Sequence, residues 1–295
     1  MSPRNLLNIG MVGLVIGLGL AAWFRPGLEP PVSPTPLTTL NPAQVNHIQI
    51  NRRLQPPLTF TRQANDWLLA GEPALPASPF QVHALLALLQ AKVERHYSVE
   101  TLDPGELGLD PPQASVILDG TTTLLIGDTE PLDSLRYIQY GTTVYLVEDR
   151  YQHLINADRT NFIERRLLDA NTVITRLTLP DLTLAQAADG SWALTPDDPD
   201  VSTAAMQQLL TNWQQASALY VRSHTPGGTA TQITLALAGS DTPVIFDLVA
   251  RTPQLILARP DLGIEYHFSN GADARLLGLG PATPVMPSTD TPPGN

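Results

Sequence analysis

A strand–strand–tryptophan–turn–helix pattern occurs twice in this chain, and no other feature restricts the fold as much. The first copy runs from Val45 to Leu89 and the second, more degraded, from Val173 to Trp213. Val82, Leu85, Leu86 and Leu89 fall at i, i+3, i+4 and i+7, which is one apolar helix face. Met206, Leu209, Leu210 and Trp213 repeat that spacing. Ser78 and Ser202 each stand four residues before the first apolar position, where a serine oxygen can accept a first-turn amide. Pro79 and Gln81 complete a capping box behind Ser78. Upstream lie Asp66-Trp67 and Ser191-Trp192, each after a polar turn, and before them the alternating pairs Ile48, Ile50 and Leu177, Leu179. The likeness extends to Val116–Gly120 against Leu235–Gly239. Repeated order with drifting loop lengths points to duplication of one folding unit.

The expected fold class is α+β, with two similar units. Each would be a mostly antiparallel sheet with one helix packed on a face. The spacing divides the chain into an anchor (1–25), a tether (26–42), a first unit (43–169), a second unit (170–280) and a tail (281–295). Gly108 in Leu107–Pro111 suits a tight turn at positive φ, and Gly141-Thr142 a hairpin. Residues 151–168 read as a helical connector. The tryptophans at matched sites suit packing between helix and sheet, and alternatively the lining of a groove.

Residues 6–24 are almost wholly apolar, with Arg4 before and Arg25 after. That length is close to the roughly 20 residues a bilayer-crossing helix needs and exceeds the usual signal-peptide core. A retained single-pass anchor is the expectation, with cleavage after Leu20-Ala21-Ala22 as the alternative. The short flank with Arg4 places the N-terminus in the cytoplasm. The rest would then be periplasmic or otherwise extracytoplasmic, at the inner (cytoplasmic) membrane of a cell envelope. The prolines between Arg25 and Pro42 favour an extended tether, and residues 281–295 are too poor in apolar side chains to build a core.

Several residues together support a family resemblance: Asp66-Trp67, the helix at Gln81–Gln90, Gly108-Leu109-Asp110-Pro111, Leu125-Ile126-Gly127, Tyr137 with Val144–Val147, and Arg166-Leu167-Leu168-Asp169 leading into a strand. In that order they resemble the bacterial family catalogued as domain of unknown function 4340, over roughly Leu40 to Leu277. The resemblance implies membrane anchoring and an envelope role beside transport or gliding-motility components. It carries over no catalytic residue, because the family has none established. In the second copy Thr225-Pro226-Gly227-Gly228 replaces the Gly-Leu-Asp-Pro turn.

The residues give no chemical signature of their own. The net charge is −11 and the one lysine is Lys92, so there is no basic stripe for nucleic acid. There is no cysteine, hence no thiolate nucleophile or thiolate metal site. His47, His83, His96, His153, His224 and His267 form no zinc-helix spacing, and phosphate-loop, dinucleotide and nucleophile-elbow motifs are absent. Asp197-Asp198-Pro199-Asp200 lacks the central glycine and distal glutamate of a calcium loop. The expectation is therefore no catalytic, cofactor-binding or metal residue and no cofactor. The first functional reading is a non-catalytic envelope protein that binds protein partners and meets the membrane through residues 6–24. Two alternatives stand beside it: a glycan, peptide or small-ligand module with a cleft between the units, and a hydrolase built on Asp103, Glu106 and Asp110.

Overall fold

The computed structural model describes residues 35–279, except 170, 226, 228 and 229. The proposed anchor at 6–24, most of the tether, the tail at 281–295 and part of the Thr225–Gly228 turn lie outside the described residues. Among the described residues no helix is long and apolar enough to cross a membrane.

Two antiparallel sheets dominate, so the fold is mostly β; the expected α+β class overstated the helices. The first sheet is built from β1 (His47–Arg52), β2 (Gln55–Gln63), β3 (Asp66–Leu69), β4 (Leu75–Ala77), β5 (Val93–Ser98), β6 (Ala114–Leu118), β7 (Thr122–Thr129), β8 (Leu135–Tyr140) and β9 (Thr143–Glu148). Its nine strands lie in the order β4-β3-β2-β1-β6-β7-β8-β9-β5. Helix α1 (Pro79–Leu86) and a 3-10 turn (Ala87–Gln90) connect β4 to β5, and the short α2 (Gln152–Ile155) follows β9. The second sheet comprises β10 (Ile174–Thr178), β11 (Thr183–Gln186), β12 (Trp192–Thr195), β13 (Tyr220–Ser223), β14 (Thr231–Leu237), β15 (Val244–Ala250), β16 (Ile256–Arg259) and β17 (Ile264–His267). Helix α3 (Thr203–Gln214) precedes β13, and α4 (Ala272–Leu277) ends the described chain. The eight strands run β12-β11-β10-β14-β15-β16-β17-β13. With β4 set aside, that is the order of the first sheet.

Period-2 alternation builds these strands. Ala114, Val116 and Leu118 of β6 are buried between half-exposed Ser115 and Ile117. The centres of the two sheets match in register. Ile50 lies between Leu58 and Val116, and Leu177 between Leu184 and Leu235; all six are buried. From those trios outward the copies diverge. Trp67 sits opposite Arg62, four residues beyond Leu58, whereas Trp192 sits opposite Gln186, two beyond Leu184. Trp67 is also covered by pairing with Ala77 of β4 and is buried. Among the described residues no strand lies outside β12, and Trp192 stays half-buried.

The helix starts also differ. The Ser202 hydroxyl accepts the Ala205 amide at 3.2 Å. The Ser78 side chain makes no cap bond, so the capping box does not form. Its backbone amide instead donates to the Phe162 carbonyl at 2.7 Å, which fixes the helix start by tertiary contact. Ser202→Ala should therefore cost about 1 kcal/mol in urea denaturation, as a lost cap does, while Ser78→Ala should cost no more than a few tenths.

The folded part begins earlier than position 43. The Leu37 and Thr38 amides donate to the carbonyls of Ala91 and Leu89 at 2.9 and 3.0 Å, and both side chains are buried. The last residues of the expected tether thus belong to the core. Both sheets lie in one compact unit that starts at Leu37.

Candidate functional site

The segment expected to be a helical connector is mostly extended. Beyond α2 and a 3-10 turn (Arg159–Phe162), residues 162–167 form a strap between the sheets. Ile163 bridges Ala77, and the Glu164 amide donates to the Pro76 carbonyl at 2.9 Å. Only three positions on, Arg166 bridges Ser217; the Leu167 amide donates to Ala216 and the Ala218 amide to Arg165, at 3.1 and 2.9 Å. The apolar pairs Phe162-Ile163 and Leu167-Leu168 are buried, and the three charged residues between them are not. Phe162 meets Phe60 edge-on at 5.0 Å, a favoured aromatic geometry. Those pairs anchor to different sheets, which a continuous helix could not do.

A cleft of about 280 Å³ opens where the strap joins the sheets. Pro76 of β4, Ile163 and Leu167 of the strap, Leu237 and Val244 around the β14–β15 turn, and Leu262 give it apolar walls. Its polar groups are Glu164, Arg166, Asp169, Thr172, Arg259 and Tyr266. Burial pushes the Tyr266 hydroxyl up to about 12 against the pull of Arg259, so it is a neutral donor at physiological pH. Arg259 is committed: its Nε and Nη2 grip Asp261 at 2.9 and 2.7 Å, and its guanidinium lies 5.4 Å from the Phe246 ring centre. Arg166 is exposed and, among the described residues, in no ion pair. It is the cation the cleft can offer.

A second polar cluster went unseen in the sequence. Antiparallel pairing of β13 with β17 puts Tyr220, Arg222, Glu265 and His267 on one face. The Glu265 carboxylate lies between two imidazoles, with Oε2 3.0 Å from His224 Nδ1 and Oε1 2.7 Å from His267 Nε2. Tyr220 stacks on His267 at 4.6 Å between ring centres, and among the described residues His267 Nδ1 is buried without a partner. Burial pushes the Glu265 carboxyl up, but hydrogen bonds and charge from the two histidines outweigh it and hold the pKa below its ordinary value. A lowered folded pKa means that stability is complete above the unfolded value and is lost as pH falls through the folded one. Glu265→Gln should thus cost on the order of 1–3 kcal/mol at pH 7. Its deficit should shrink in acid, as read by paired urea titrations at pH 7 and pH 3.

The acids singled out in the sequence lie in exposed turns. Asp103, Glu106 and Asp110 are exposed, and Asp103 Oδ1 accepts the Gly105 amide within its own turn. Gly108 adopts φ +66, and a Cβ there would meet the Asp128 carboxyl carbon at 2.5 Å. The glycine thus serves a close packing of the turn on β7. Asp197, Asp198 and Asp200 are exposed, with Asp198 Oδ1 accepting the Asp200 amide at 3.0 Å. Among the described residues no group of three or more histidine, aspartate or glutamate side chains is placed to hold a metal ion. His83 is exposed on α1.

The family described as Domain of unknown function (DUF4340) matches residues 67–232. The matched span starts in β3, ends in β14 and includes the whole strap. No curated protein and no solved structure matches the chain.

Proposed function

We propose that this chain, which belongs to the Domain of unknown function (DUF4340) family, is a non-catalytic binding component of a cell-envelope assembly. Residues 6–24 hold it at the cytoplasmic membrane, and the junction cleft receives a segment of a protein partner. The observation that carries the reading is the cleft itself, whose walls come from both sheets and are set by the hydrogen bonds of the strap. Binding sites are commonly concave, largely preformed and apolar, with a few placed polar groups. At about 280 Å³ the cleft is near the lower end of the roughly 300–1,000 Å³ typical of ligand sites. It has room for one or two inserted side chains and no room for a folded domain. Tyr266 offers a hydroxyl, Arg166 a free cation, and Glu164 and Asp169 carboxylates. That mixture of donors and both charge signs suits a peptide better than a uniformly charged ligand.

The test is site-specific photocrosslinking in native membranes, with the crosslinker at Leu262 of the full chain. A discrete adduct that disappears with Arg166→Glu supports the reading. No adduct, or one indifferent to Arg166, overturns it. The small volume also favours a second reading, a free small ligand in the same cleft. Thermal-shift screening of the purified chain separates the two, because a ligand that binds only the folded state raises the melting temperature.

A further inference from the structure

The two sheets share a strand order but not an edge. In the first, β4 covers β3, pairing Trp67 with Ala77 and Leu69 with Leu75. In the second, β12 ends the sheet, and the loop that follows is Pro196-Asp197-Asp198-Pro199-Asp200 in place of a strand. The Ala187 amide donates to the Ser191 carbonyl at 2.8 Å. Antiparallel alternation from that bond turns the backbone amides and carbonyls of Trp192 and Leu194 away from β11. Among the described residues no hydrogen bond engages those groups, whereas the outward groups of β3, those of Trp67 and Leu69, face β4.

We infer that β12 is a docking edge for an extended basic segment of another protein, which adds a strand outside β12 as β4 does outside β3. The first sheet shows what fits: Leu75 and Ala77 are buried toward the core, and Pro76 between them is exposed. The docked strand therefore carries small or aliphatic residues at alternate positions, and they extend the half-buried face of Trp192 and Leu194. Backbone bonds supply affinity and the alternate side chains supply selectivity. Charge sets the sign of the partner. Asp197, Asp198 and Asp200 flank the edge, and the whole chain carries −11. An acidic flank repels a second copy of this chain, as charged edges do in general, and attracts lysine and arginine. This edge lies at the opposite end of the strand order from β13 and shares no residue with the cleft.

The probe is a capped synthetic hexapeptide, Lys-Leu-Lys-Ala-Lys-Ala, added to the detergent-solubilised full chain and followed by residue-resolved hydrogen–deuterium exchange. Exchange of the Trp192 and Leu194 amides should slow at least about tenfold at saturation, while Ala193, already paired to β11, stays unchanged. Binding should weaken as salt rises. Leu194→Pro deletes one outward donor and spares the β11 ladder, as edge positions allow; it should raise Kd about tenfold. Joint replacement of Asp197, Asp198 and Asp200 by asparagine leaves the ladder untouched and should abolish most of the salt dependence. An alternately N-methylated peptide should not bind. Unslowed Trp192 and Leu194 amides, equal binding of the methylated peptide, or protection that follows protein concentration without peptide would each overturn the proposal. The last would identify a second copy as the occupant.

Discussion

Trp213→Ala is expected to cost about 4–6 kcal/mol and to melt the second sheet before the first. The indole is fully buried, its ring centre is 5.8 Å from that of Phe246, and its Nε1–H donates to the Leu276 carbonyl at 2.7 Å. Truncating a buried tryptophan costs roughly 3–5 kcal/mol through lost transfer energy and the cavity left behind. Stranding the Leu276 acceptor adds about 1 kcal/mol or more. The indole also ties α3 to α4, so the loss reaches the C-terminal helix. Urea denaturation followed by circular dichroism checks the total, and hydrogen exchange shows which sheet opens first. Trp192→Ala should cost clearly less, because Trp192 is half-buried on an open edge.

Asp149→Ala is expected to cost about 3–5 kcal/mol, more than removing both partners of the pair. Arg136 is a buried arginine; its Nη2 donates to Asp149 and its Nη1 to the Gly127 carbonyl at 2.7 Å. Among the described residues its Nε is buried without a partner, so little compensation is in reserve. Removing the carboxylate leaves a buried cation without its counter-charge, the expensive way to break such a pair. Arg136→Met together with Asp149→Ala removes both charges and fills similar volume, so it should recover most of the loss. A double-mutant cycle in urea reads the coupling directly. Additive single losses would show that the pair contributes nothing of its own.

Much of the sheet architecture was legible where local pattern and tertiary burial agree. β1 reads from the alternation of Ile48 and Ile50, and the β8–β9 hairpin from Gly141, which adopts φ +60. The apolar face Met206, Leu209, Leu210 and Trp213 is the buried face of α3. β4 was not legible, since three residues with a central proline carry no periodicity. Nor was the strap: Phe162-Ile163 and Leu167-Leu168 suit one helix face as well as two separate anchors, and contacts with Phe60, Ala77 and Ala216 decided between them. The histidines failed for another reason. His224 and Glu265 stand 41 residues apart, and only the β13–β17 register brings them together. The cleft shares that origin, because Arg166 and Tyr266 meet through the junction and not through any motif.

The strap also governs how the gene can be divided. Ile163 and Arg166 serve opposite sheets within about 10 Å of extended backbone. A clone stopped before residue 162 strips the outer neighbour from Leu75–Ala77, and one begun after residue 168 bares Ala216–Ala218 in the same way. Either fragment would leave the ribosome with a raw seam, prone to clump with its own kind, so this molecule is best made whole.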